Sequence, residues 1–308
     1  MSSNFSPIDL NQIPPPNIVE ELSFEAIYNE RKAALLALYP IEQYAEIAAT
    51  LERDSSPLSK LLQENSYREL VLRQRINIAA QAVLLTTAQG ADLDNLVAKE
   101  PYNIKRLVID EGDMQATPPV PPLLESDNEL RRRAQLAPRR YSTAGPIDSY
   151  RFWALGAHSD VADASVDSPA PCEVVVTILS RSGQGVPTQE VLNAVNHVLN
   201  DEEIRPLTDF VTIQGAKAVG YSIDAQLTLY HGAGSEAVLQ EANSKLDTFL
   251  AQSRKLGIDI TRAGLTAALV VAGVQNVHLA APLADVVIDA DEIAVLSQRN
   301  ISIIGRGE

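Results

Sequence analysis

Residues 57–83 read PLSKLLQENSYRELVLRQRINIAAQAV. Pro57 suits the first position of a helix, where its missing N–H costs nothing and its fixed φ is already helical, with Ser55 or Ser56 as the cap. From Leu58 the helical pattern runs on to about Gln89, where Gly90 predicts a stop. At 1.5 Å per residue that is roughly 48 Å of helix. One seam repeats in steps of four and three: Leu58, Leu62, Asn65, Glu69, Leu72, Ile76, Ala79 and Val83. That is coiled-coil spacing. A second apolar set, Leu70, Val71, Ile78, Leu84 and Leu85, lies to one side. So wide an apolar surface requires more than one neighbour. Asn65 and Glu69 interrupt the seam, and polar seam residues set register or partner choice.

Upstream, Pro14, Pro15 and Pro16 fix φ and remove donors, which predicts an extended arm lying along a neighbouring chain. Ser23 is positioned to cap a helix reaching about Tyr39, with Phe24, Ile27, Tyr28, Leu35 and Leu38 on one side. Pro40 ends it, and a second helix is expected from about Ile41 to Arg53. These helices are too short to cover the whole of the long one, so partner chains are implied.

Downstream, Gly90 to Asp94 leads into a short helix and a looser middle. Four prolines between Ala116 and Pro122 mark a linker or sheet edge, and Glu125–Arg133 reads as a resumed helix. From Ser142 the pattern becomes α+β. Helices are expected near Pro146–Leu155, Thr188–Leu199, Ser235–Lys255 and Arg262–Ala272. Strands are expected near Val161–Val166, Glu173–Leu179, Phe210–Gln214, Gly220–Tyr230 and Val274–Leu279, with short strands near the end. The expected fold class is therefore α+β: a long-helix bundle segment, then two small α/β sandwich-like domains. The expected boundaries are 1–89, 90–141, 142–218 and 219–308. Ala144-Gly145, a helix, Gly156 and Val161 resemble Ala263-Gly264, a helix, Gly273 and Val277. Duplication and chance both account for this likeness.

The chain has 308 residues, is 45% hydrophobic and 21% charged, and carries a net charge of -15. An acidic chain repels phosphate backbones, which argues against nucleic acid as a partner. Its basic cluster, Arg131, Arg132, Arg133, Arg139 and Arg140, reads as a solvated face or a protein contact. The one cysteine, Cys172, precedes a valine run and is expected as a small buried strand residue; it makes no intrachain disulfide and no thiolate metal site. No signal peptide is expected. Ala263–Val274, the longest nearly apolar stretch, is short of the ~20 residues a membrane span needs, so no membrane partner is expected. Ala263–Ala284 as a whole is dense in small apolar residues. It serves either as a contact surface or as the core of its own domain.

Four stretches together resemble the baseplate J-like family of contractile phage tails. They are residues 9–20 (DLNQIPPPNIVE) with Phe24-Glu25; Pro57–Asn77 followed by Gly90–Asp94; Glu125–Asp127 with Leu130, Arg131 and Arg133; and Ser142–Pro146 with Ser149-Tyr150 and Val161–Ala164. Trp153 stands where the family pattern suggests histidine. The resemblance implies a structural wedge component and no catalytic residues. It implies that two copies pair with a smaller tail protein of the same wedge through a helical bundle, beside a sheath-initiating baseplate protein. It further implies that C-terminal domains link neighbouring wedges into a sixfold ring. The implied location is the baseplate of a virion or tail-like particle, assembled in the host cytoplasm. The partner-interface residues expected on this reading are Leu58, Leu62, Asn65, Glu69, Leu72, Ile76, Val83, Pro14, Pro15 and Pro16.

Catalytic and cofactor signals are weak. Gly183-Gln-Gly185 lacks the third glycine of a phosphate loop, since Thr188 stands there. His158, His197, His231 and His278 have no zinc spacing, and Asp289, Asp291 and Glu292 lack the rest of a calcium loop. No cofactor or metal is expected. The rival class, a hydrolase or transferase on a helical arm, requires a concave pocket with converging polar groups, whereas an assembly part requires exposed apolar seams.

Overall fold

The computed structural model describes residues 10, 13–14, 16–142, 144–232 and 234–307. The chain forms two compact units. One comprises residues up to 105 together with 126–135, and the other comprises 106–125 together with everything from 136 onward.

The first unit is helical. In α1 (Phe24–Leu36) the Ser23 hydroxyl accepts from the Ala26 N–H at 3.4 Å, the expected cap. The helix stops short of Tyr39, because Leu38 and Tyr39 donate to the carbonyls three residues back and tighten the chain before Pro40. A 3-10 turn over Ile41–Gln43 precedes α2 (Tyr44–Leu51), so the expected second helix is shorter and broken at its start.

The long helix α3 (Pro57–Ala82) has 26 residues and is about 39 Å long. It does not reach Gln89. Val83 leaves helical geometry, and the Thr87 hydroxyl donates to the Gln81 carbonyl at 2.7 Å. The Arg131 guanidinium donates to the carbonyls of Leu85 and Ala88 just beyond. These bonds take up carbonyls at and after the helix end. Gly90, expected as a stop, instead opens α4 (Gly90–Val97), with its N–H on the Asp127 carboxylate. The next helix, α5 (Asp127–Leu136), starts two residues later than expected. Ser126 and Glu129 exchange bonds there as a capping box. Two of the clustered arginines are thus structural. Arg131 binds loop carbonyls, and buried Arg133 donates to the Lys105 carbonyl at 3.2 Å.

The second unit carries the sheets. Strands β1 (Val108–Asp110) and β2 (Leu123–Leu124) pair antiparallel around the proline-rich segment. Then follow α6 (Ile147–Ala157), β3 (Val161–Asp167), β4 (Glu173–Ser180), α7 (Gln189–Leu199) and β5 (Phe210–Gly215). In this sheet β4 is central, antiparallel to β3 and parallel to β5. After Ala216 come β6 (Lys217–Tyr230), α8 (Ser235–Ser253), α9 (Arg262–Leu269), β7 (Val274–Ala281) and β8 (Glu292–Gly307). Here β6 is central, antiparallel to β7 and parallel to β8. The short strands expected near the end are one strand of 16 residues.

The two sheets share one plan in permuted order. In each, a helix feeds an antiparallel edge strand: α6 into β3, and α9 into β7. That helix–strand piece opens the first sheet and comes late in the second. The Gly-to-Gly likeness in sequence falls on it.

The C-terminal core explains the apolar stretch 263–284. Ile223, Ala225, Leu227 and Leu229 alternate along β6 and meet Val238, Ala242 and Leu246, one face of α8 at a spacing of four. Leu265, Leu269, Val271, Val274 and Leu279 are buried in the same cluster. The stretch therefore supplies part of this domain's core, while Val270 and Leu283 within it stay exposed.

Cys172 is also corrected. It is exposed, with a φ of 66°, in the turn before β4, where its carbonyl accepts from the Phe210 N–H at 2.7 Å. The valines that follow it are in the strand, but the cysteine itself reverses the chain.

Candidate assembly interface

Three contacts orient α3 within its unit. Leu62 is 8% exposed and clusters with Leu36 of α1 and Leu51 of α2, with Leu58 packed alongside. The buried Ser59 hydroxyl donates to the Leu51 carbonyl at 3.2 Å. Further along, the Asn77 side chain accepts from the Glu20 N–H at 3.1 Å and donates to the Glu20 carbonyl at 2.8 Å. Buried Ser59, Leu62, Ser66 and Asn77 therefore trace the side of α3 that its own chain covers.

A second side stays uncovered. Leu61, Leu72, Ile76, Ala79 and Val83 fall on one stripe at helical spacing. Leu72 is 63% exposed, Ile76 52% and Val83 67%. Asn65 is exposed on the same stripe. Tyr67, Val71 and Ile78 form a smaller exposed set on the opposite flank. Contiguous exposed apolar patches mark protein–protein or membrane contacts, ligand grooves or aggregation-prone surfaces.

The seam expected from sequence therefore divides. Its first part, Leu58 and Leu62, is used inside the chain. Glu69 is also used inside: it pairs with Arg31 of α1 and with Arg73, one helical turn on, at 2.6 Å. Those guanidiniums hold its carboxyl below the usual carboxylate range. Its carboxylate is thus already paired within its own chain. Arg73 also reaches Glu20 at 3.3 Å. The remaining seam positions, Asn65, Leu72, Ile76, Ala79 and Val83, stay exposed.

The arm differs from expectation as well. Pro14 is exposed and Pro16 half-buried, while Pro15 lies outside the described residues. The Val19 N–H donates to the Pro16 carbonyl at 2.9 Å, so the chain turns here before Glu20 docks on Asn77 of the same chain. Nothing in the sequence near Glu20 signals Asn77, which lies 57 residues away.

Among the described residues, no group of three or more His, Cys, Asp and Glu side chains is placed to hold a metal ion, and no helix is long and apolar enough to cross a membrane. Gly185 has a positive φ of 90°, and a Cβ there would lie 2.7 Å from a methyl of Leu179. Close packing, rather than phosphate binding, accounts for that glycine.

Three family models match in order: the baseplate J-like N-terminal domain over residues 54–113, the central domain over 142–215 and the C-terminal domain over 221–303. Baseplate protein J of Escherichia phage P2 is 45% identical over 301 residues, covering 98% of this chain and 99% of that protein. The chain belongs to the baseplate J-like family. It is a structural component of a phage-type tail baseplate, as its resemblance implied. The N-terminal family domain spans all of α3, which places the exposed stripe inside it. A chain of the sixfold-symmetrised cryo-EM structure of the anti-feeding prophage baseplate overlaps at a TM-score of 0.40 and 14% identity, covering 58% of this chain and 44% of that one. That overlap is too low to inform the fold or the assembly of this family member.

Proposed function

We propose that this baseplate J-like chain is a wedge component with a structural and not a catalytic role, joined to partner chains through the open stripe of α3. The observation that carries this is the exposure of Leu72 and Ile76 on α3, and of Val83 at its C-cap, beside the side that its own chain covers. The partners are a second copy of the chain and a smaller tail protein in a helical bundle, with a sheath-initiating baseplate protein nearby. The C-terminal domain, from about Val219, meets neighbouring wedges in a sixfold ring. Pro14–Pro16, ahead of the turn that docks Glu20, lies along a neighbouring chain. The domain division that serves these roles is 1–89 for arm and bundle, 90–141 for connection, 142–218 for the first α+β domain and 219–308 for the ring. The protein acts in the baseplate of a virion or tail-like particle after assembly in the host cytoplasm.

The test is an Asp at Ile76, which places a charge in the apolar stripe. Burying it against a partner costs several kcal/mol. Co-expressed tail proteins are expected to stop co-purifying with Ile76→Asp while the chain stays folded. Co-purification at wild-type yield contradicts the proposal.

A further inference from the structure

β8 is the last strand on its side of the C-terminal sheet, and its outward backbone groups face no strand among the described residues. Natural edge strands are blunted by shortness, Pro, charged side chains, bulges or a covering element. β8 has 16 residues without Pro or Lys; its charged residues are Glu292, Arg299 and Arg306, and it bulges near residues 297 and 304. Between them, Gln298–Ile303 runs in regular register against Ser222–Ile223–Asp224–Ala225–Gln226–Leu227.

The side chains of this stretch are half-finished. Ile301 and Ile303 pair with Ala225 and Leu227, which are fully buried, yet both isoleucines are only partly covered. A further strand alongside would bury them. Arg299, on the same face, is already tied to Asp247 of α8. On the other face stand Gln298, Asn300 and Ser302, all uncharged.

We infer that β8 pairs antiparallel with β8 of a second copy, across a twofold axis at Ile301, making one continuous six-stranded sheet. A twofold contact pairs the strand with itself about that residue. Ile301 meets Ile301. Arg299 lies opposite Ile303 and Asn300 opposite Ser302, so no like charges face each other. The stretch holds no acidic residue that would draw a basic strand instead. This inference rests on the proposal that C-terminal domains meet between wedges, and it names the strand that does so.

The test uses the full chain with Cys172→Ser and Ile301→Cys, assembled with its tail partners and oxidised. Directly opposed antiparallel residues have Cα atoms ~4.5–5.5 Å apart, inside disulfide range. A disulfide-linked dimer of this chain is expected. The matched Ser297→Cys variant is expected to give none, since its mates lie about eight residues apart, roughly 27 Å. Asn300→Lys with Ser302→Lys sets lysines against each other and is expected to leave wedges intact but abolish ring closure, seen by electron microscopy. Closed rings without the Ile301→Cys dimer overturn the edge pairing alone, as do equal cross-linking at both positions, closed rings with the lysine pair, or a cross-link to a different tail protein. A chain that never joins its tail partners removes the underlying proposal too.

Discussion

Asn77 holds the backbone of Glu20 from both sides, accepting from its N–H at 3.1 Å and donating to its carbonyl at 2.8 Å. The carboxamide does what one residue of an adjacent strand would do, and it fastens the segment after the prolines to α3. Asn77→Ala leaves both Glu20 groups without a protein partner. The expected loss is about 1 kcal/mol, limited because water reaches Glu20. Hydrogen exchange at residues 18–22 is expected to accelerate. Unchanged exchange there contradicts the role given to Asn77.

Two apolar residues on one helix are expected to behave oppositely. Leu62 lies in the cluster with Leu36 and Leu51, so Leu62→Ala costs about 2–5 kcal/mol in denaturant unfolding. Leu72 is 63% exposed, so Leu72→Ala changes stability by less than about 0.5 kcal/mol and weakens partner binding instead. Equal effects on stability at both positions would count against the division of α3 into a covered and an open side.

Glu69 is expected to make the first unit acid-sensitive. Its carboxyl is held down mainly by hydrogen bonds from Arg31 and then Arg73. A depressed pKa contributes stability that is present above the ordinary carboxylate value and is lost as pH falls through the lowered one. Wild type is expected to be more stable than Glu69→Gln at pH 7, with the gap closing in acid and shrinking in high salt. A gap independent of pH refutes this linkage.

Tyr150 anchors the first sheet domain. It is buried, and its hydroxyl donates to the Asp209 carboxylate at 2.7 Å. Burial first, and then Asp209, push its pKa above the ordinary tyrosine value of 10.0. The resulting stability is fully present below that value and is lost as pH rises past it. Tyr150→Phe is expected to cost about 1.5–3 kcal/mol at neutral pH and to flatten the alkaline loss, measured by urea unfolding.

Most elements were legible because their signals are local. Ser23 is a cap whose side chain bonds the next turn, and Pro57 opens α3. The alternation in β6 reads directly as Ile223, Ala225, Leu227 and Leu229 facing inward. The exposed end of the seam was legible for the same reason, since spacing along one helix places Leu72, Ile76 and Val83 on a stripe. What the sequence hid depends on distant partners. The Arg31 that occupies Glu69 comes from α1, 38 residues earlier, and the Arg131 that binds the carbonyls after α3 comes from α5. Apolar periodicity continues through Leu84 and Leu85 past the true helix end, so it overran. Composition also misled at Cys172, because it records what a segment contains and not which side of it is covered.

The central claim, that the open stripe of α3 is covered by other chains in the particle, is tested most directly by thiol accessibility. In a Cys172→Ser background, Ile76→Cys is expected to react freely with a maleimide in the isolated chain, where Ile76 is 52% exposed, and to be protected in the assembled baseplate. Equal labelling in the two states would contradict the account.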